Sequence, residues 1–201
     1  MMEIPLFIET IQVVDGKMIH LPAHIARMEE TLKEAAGYHV SFHPEEIQLP
    51  DDRKEGIVKC RILYDEKIQS IEFEKYTPRT IHRLKLVDGQ HIDYHLKYAD
   101  RSPLNDLRAL REDCDEILIT RDGYLTDTSY SNVVLYDGIN YITPATFLLN
   151  GTKRQYLIKQ GVIQVAPVSI RDLKSFKRLY LINAMLEPGN NISVEITDIQ
   201  E

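Results

Sequence analysis

The chain has no tryptophan and only two cysteines in 201 residues. Cys60 and Cys114 are too few for a disulfide framework in a chain this long and lack metal-ligand spacing, so they read as reduced thiols of a cytoplasmic protein. The seven histidines form no zinc pattern. No apolar run approaches the roughly 20 residues that a membrane-spanning helix needs. The opening Met1-Met2-Glu3-Ile4-Pro5 lacks the basic stretch and apolar stretch of a secretory signal. Positive charge is in deficit, 24 Lys and Arg against 31 Asp and Glu, net −7, which sets nucleic acid aside as a partner. What remains, 43% hydrophobic and 27% charged, is an ordinary globular composition with enough chain for one domain or two small ones.

The alternation of residue types predicts a small α+β unit over 1–79. Residues 4–14 are rich in β-branched and aromatic types, Asp15-Gly16 is a strong two-residue turn signal, and 17–21 completes a hairpin. A helix follows, with Pro22 in its first turn, Ile25, Met28, Leu32 and Ala35/Ala36 as its apolar face, and Gly37 at its end. A short helix at 44–48 and strands at 58–64 and 67–76 complete the unit, and Thr77–Thr80 reads as a linker. The second unit, 80–201, begins with an alternating strand at 84–88 and a helix at 102–112, with Ser102 as cap and Pro103 at the first helical position. Strands follow at 115–120, 124–127, 131–136 and 139–142. A helix over 152–160 ends at Gly161, a strand spans 162–165, a short helix lies near 170–176, and another strand spans 178–183. A turn at Glu187–Asn191 leads into a last short strand.

Chemistry concentrates in 85–154. Lys97 sits after a strand and before a helix, where loops carry function. Read alone it is a solvated surface lysine; partly desolvated, it could form a Schiff base. Asp127 stands in a Thr/Ser-rich bend with Thr126, Thr128, Ser129 and Ser131. Alone it is a turn aspartate; beside a pyridinium nitrogen it would keep that ring an electron sink. Gly151-Thr152-Lys153 opens a helix, and free N–H groups at a helix start bind phosphate. Arg27, otherwise a solvated helix residue, offers a phosphate a bidentate partner.

These residues carry a resemblance. Phe7-Ile8-Glu9-Thr10-Ile11, His24-Ile25-Ala26-Arg27-Met28, Lys97-Tyr98-Ala99-Asp100-Arg101, Leu125-Thr126-Asp127 with Ser131-Asn132, and Thr143-Pro144 with Gly151-Thr152-Lys153-Arg154 occur in the order found in class IV (fold-type IV) aminotransferases. The resemblance covers nearly the whole chain. It implies an α+β, mixed α/β fold of two small subdomains with the cofactor, pyridoxal 5′-phosphate, between them, and usually a homodimer. It implies that Lys97 carries the cofactor, that Arg27 and the Gly151, Thr152 and Lys153 backbone hold its phosphate, and that Asp127 replaces the family's glutamate at the ring nitrogen.

Within that family the Lys-x-x-Asp-Arg segment looks more like the 4-amino-4-deoxychorismate lyases, which release pyruvate and 4-aminobenzoate for folate biosynthesis. Branched-chain and D-amino-acid aminotransferases are the alternative, and a non-catalytic binder of the cofactor is an alternative of another class. A plain two-layer α/β domain without cofactor is the bland option. The departures are Asp127 itself, Thr152-Lys153 for Ile-Thr, Asp100 for asparagine, and Asn183-Ala184 in place of a Thr/Ser-rich phosphate loop. The family's customary N-terminal segment with its Tyr-Gly-Asp-Gly loop is also missing from the sequence. Arg83, Arg101, Tyr98 and Tyr130 are candidate carboxylate or ring contacts, each with a structural role as the plainer explanation.

Overall fold

Asp15 and Gly16 take φ of 45° and 81°, the left-handed pair that a two-residue hairpin turn of primed type requires. In the computed structural model, which describes residues 4–189 and 192–201, that turn joins β1 (Phe7–Val14) to β2 (Lys17–Met18). Part of the predicted turn at Glu187–Asn191 and most of the chain's opening segment lie outside the described residues.

The helix α1 (Leu21–Ala36) starts with proline in its first turn and ends at Gly37, whose φ of 78° makes the left-handed cap. It buries His24, Ile25, Met28, Thr31 and Leu32. The apolar positions are those the spacing predicts up to Leu32, while Ala35 is exposed. The two polar members are paired: His24 meets Glu9 and Thr31 hydrogen-bonds Tyr64. Strands β3 (Ile57–Tyr64) and β4 (Ile68–Lys75) complete an antiparallel sheet in the order β2-β1-β3-β4. Phe7, Ile11, Met28, Leu32, Ile62 and Tyr64 form the centre of its core.

β2 covers only the far end of β1. Even-numbered residues of β1 face that edge: Gln12 accepts from Ile19, and Ile8 donates to the Lys97 carbonyl at 2.9 Å. Ala99 N–H donates to the Leu6 carbonyl, and Phe7 and Tyr98 form an antiparallel bridge. Segment 96–100 thus takes the place on the edge that β2 leaves open. The compact units are therefore residues up to Thr77 with Leu96–Asp100, and Pro78–His95 with Arg101–Glu201. The expected 80–201 unit included Lys97; backbone pairing puts Lys97 in the first unit instead.

The second unit contains β5 (Leu84–Asp88), α2 (Ser102–Ala109), β6 (Glu116–Arg121), β7 (Tyr124–Leu125), β8 (Asn132–Tyr136), β9 (Tyr141–Pro144), α3 (Thr152–Lys159), β10 (Gln164–Ala166), β11 (Arg178–Ile182), β12 (Ser193–Glu195) and β13 (Ile199–Gln200). They form two sheets, β13-β5-β6-β7 and β10-β9-β8-β11-β12. Ile117, Leu118 and Ile119 on β6, and Val133, Val134 and Leu135 on β8, are wholly buried. Consecutive burial means that both faces of each strand are covered, so these strands read as continuous apolar runs. Ser102 is the first helical residue of α2 and Arg101 its cap position, one residue earlier than the Ser-Pro signal predicts. Among the described residues no helix is long and apolar enough to cross a membrane.

Candidate active site

In the first unit a charged cluster forms where β1, α1 and segment 96–100 meet. Glu9 points into the core and is wholly buried. Arg27 donates to it from Nε at 2.9 Å and from Nη2 at 2.5 Å, and His24 Nδ1 lies 2.9 Å from Oε1. Thr10 N–H donates to the same oxygen at 2.8 Å. Burial alone would raise the Glu9 carboxyl; Arg27, His24 and the nearby charge of Lys97 outweigh it and hold the group well below the usual carboxylate range. Glu9 is therefore ionised, and His24 must present a proton on Nδ1 toward it. Lys97 is half-buried, with its backbone tied to β1 and its side chain close enough for charge coupling to Glu9. Arg27 and Lys97, predicted from separate motifs, are thus brought around one carboxylate.

The second unit holds the other predicted residues. Segment 125–127 runs along β6, with Ile119 N–H donating to the Asp127 carbonyl and Thr126 N–H to the Ile119 carbonyl. The bend that follows is closed by Thr128 and Ser131, whose hydroxyl oxygens lie 2.7 Å apart. This aims Asp127 into the interior at 4% exposure. Asn132 Nδ2 donates to its Oδ1 at 2.8 Å, and Leu148 and Leu149 N–H both donate to its Oδ2 at 3.0 Å. Burial pushes the carboxyl up to about 6, against the opposing pull of the Leu149 N–H, Asn132, the Leu148 N–H and Arg154.

Asn132 also donates to the Leu149 carbonyl at 2.9 Å, and its Oδ1 packs so closely on Gly151 that a Cβ there would collide with it. Glycine is needed for this approach rather than for an unusual φ, which is −65°. Asp127, Asn132 and Gly151 are one hydrogen-bonded, close-packed group at the start of α3. Thr152 is half-buried at the first helical position, where N–H groups lack an acceptor within the helix. The Lys153 side chain is buried and pairs with Glu187, lying 5.9 Å from the Tyr156 ring centroid.

Three residues without an assigned role in the sequence reading complete these two clusters. Glu9 and His24 lay within quoted motifs, but only the fold brings them to Arg27. Arg154, also in a quoted motif, is buried, donates to the Pro144 carbonyl at 2.9 Å and to Thr143 Oγ1 at 3.3 Å, and stacks on Phe147. It fastens the loop that supplies the Leu148 and Leu149 N–H groups.

The candidate carboxylate contacts divide. Arg83 is engaged on the surface with Asp113, through its side chain at 2.8 Å and its carbonyl at 2.5 Å, so it serves structure. Tyr98 stacks obliquely on Phe7 with centroids 5.4 Å apart. Arg101 donates to the Ser129 carbonyl at 2.7 Å, bracing the bend. Tyr130 carries the Arg79 guanidinium 5.7 Å from its ring centroid. Asn183, noted above as a departure from a Thr/Ser-rich phosphate loop, donates from Nδ2 to the Tyr130 carbonyl and accepts the Met185 N–H on its own side-chain oxygen.

Comparison with known proteins gives a consistent result. The amino-transferase class IV sequence family matches residues 93–188. An uncharacterised protein of Haemophilus influenzae is 35% identical over 184 residues, 90% of this chain and 97% of its own. The crystal structure of a presumed 4-amino-4-deoxychorismate lyase from Haemophilus somnus 129pt superposes with a TM-score of 0.77 at 32% identity, covering 92% of this chain and 99% of that one. The pyridoxal-phosphate-bound form of a hypothetical aminotransferase from Mycobacterium tuberculosis superposes with a TM-score of 0.70 over 97% of this chain and 81% of its own; at 15% identity it shows the shared fold.

Proposed function

The chain belongs to the amino-transferase class IV family, and on that premise we propose that it is a pyridoxal-phosphate enzyme that eliminates pyruvate from 4-amino-4-deoxychorismate to leave 4-aminobenzoate, a folate precursor. The observation that carries the choice of reaction is the 32% identity, over almost the whole of both chains, to the presumed lyase. The Lys97-Tyr98-Ala99-Asp100-Arg101 segment supports it. A homodimer, as the resemblance implies, and a cytoplasmic setting, as the two cysteines suggest, complete the reading, and sedimentation of the purified protein tests the dimer.

The donor set suits this cofactor. Its aldehyde calls for a primary amine, its phosphate for a guanidinium or helix-start N–H groups, and its ring nitrogen for an acid. Lys97, Arg27, the Gly151–Lys153 backbone and Asp127 supply these. Asp127 accepts three hydrogen bonds from the protein, and a carboxylate has about four acceptor positions, so Oδ1 keeps capacity for a ring N–H. When bound, the cofactor supplies an electron sink for the carbanion at the substrate Cα.

Lys97 would hold the cofactor through its amine and, as a free amine, would carry a proton to or from the substrate Cα. Asp127 would accept the ring N–H and keep that nitrogen protonated. Arg27 is the phosphate ligand offered by the first unit and the N–H groups at the start of α3 those offered by the second; a phosphate held by such groups would lose the freedom that otherwise opposes reaction.

The test is product analysis on the cofactor-loaded protein. Equal amounts of 4-aminobenzoate and pyruvate are expected, with Lys97→Ala lowering turnover by roughly 10²–10⁴-fold or more. A keto acid formed from an amino-acid donor, with no 4-aminobenzoate, would replace the lyase reading with transamination.

A further inference from the structure

We infer that Glu9 is a positioning residue for the cofactor's phosphate: its buried carboxylate grips the side-on edge of the Arg27 guanidinium and so presents the end-on edge to a phosphate monoester. This rests on the reading above that Arg27 serves pyridoxal phosphate.

The grip is complete. Four donors converge on the two Glu9 oxygens: Thr10 N–H, His24 Nδ1, Arg27 Nε and Arg27 Nη2. Three of them meet Oε1 and one, Arg27 Nε, meets Oε2, as many donors as a carboxylate has acceptor positions. Two of the four belong to one guanidinium, the bidentate geometry that fixes its plane as well as its distance. Because Glu9 is wholly buried, Arg27 cannot swing away without leaving an unpaired charge in the core. With Nε and Nη2 committed, an anion can make a bidentate approach only along the end-on edge. An arginine held in this way has already given up the rotamer freedom that binding would otherwise remove.

The inference has a definite sign. A carboxylate beside a phosphate site repels the phosphate, so charge alone predicts that neutralising Glu9 tightens binding. Positioning predicts the reverse. Around Glu9 stand Arg27 and His24 from α1, Lys97 from segment 96–100, and Cys60 and Tyr64 from β3.

The experiment compares the affinities of pyridoxal 5′-phosphate and of pyridoxal, which lacks the phosphate, for wild type, Glu9→Gln and Glu9→Asp. Glutamine sets an NH₂ among converging donors. Aspartate keeps the charge but is one methylene too short to hold Arg27, His24 and Thr10 together, so it tests the same point if the glutamine variant folds poorly. Both variants are expected to weaken the phosphorylated ligand roughly tenfold or more while leaving pyridoxal within about twofold, the loss of one charge-assisted contact. In an Arg27→Ala background, Glu9→Gln should have no further effect on that ratio. An unchanged ratio, or tighter phosphate-dependent binding in Glu9→Gln, overturns the inference while the cofactor reading stands. A wild-type protein that traps no pyridoxal phosphate at Lys97 overturns the cofactor reading itself.

Discussion

Asp127 has the most consequential charge state in the second unit. Its carboxyl is raised by burial to about 6 from an ordinary value of 3.8. The folded chain therefore holds this proton more tightly than the unfolded chain does. The contribution is a stability present below about pH 4 and lost as pH rises through about 6. In the cofactor-free protein, Asp127→Asn removes this titration. Urea unfolding across that range should show wild type losing on the order of 2–3 kcal/mol relative to the variant; parallel curves would mean that Asp127 is not the buried acid described. Gly151→Ala tests its neighbour. The new methyl must displace the Asn132 side chain, breaking its bonds to Asp127 and Leu149, and should destabilise by about 1–3 kcal/mol by the same unfolding measurement. Both residues were legible in the sequence as members of motifs. Their link through Asn132 was not, because side-chain contacts across 5 and 19 residues leave no periodic trace. Glu9 was hidden for the same reason: in sequence it is one polar position in an apolar strand.

At the scale of elements, α1 matters because it carries Arg27 and His24 on the face that also carries its apolar contacts. Leu32 is wholly buried in that contact. Leu32→Ala should destabilise the protein by about 2–5 kcal/mol, read as a lower midpoint in denaturant. The helix itself was readable from Pro22, the apolar spacing and Gly37, and the first hairpin from Asp15-Gly16. Segment 96–100 was not. It has neither strand alternation nor helical period, and only the open edge of β1, which follows from the shortness of β2, gives it a place. The motif that drew attention to Lys97 therefore gave no sign that its backbone pairs with β1. The start of α2 moved by one residue because a Ser-Pro pair fits either as cap and first position or as the first two helical positions.

At the scale of the molecule, strands β6 and β8, covered on both faces, mark the second unit of a mixed α/β chain. The order of motifs along it, more than any single motif, carries the family. The fold class was legible because strands buried on both faces read as apolar runs and the turns are marked by glycine. The choice among reactions was less legible, since lyase and transaminase share their catalytic residues and differ in the shape of the pocket.

The central claim is that Lys97 is the residue that binds pyridoxal phosphate, and it is tested most directly by reducing the loaded protein with borohydride and mapping the labelled peptide by mass. A single pyridoxyl adduct on Lys97, absent in Lys97→Ala, is the predicted result. An adduct on another lysine, or none, would contradict the assignment.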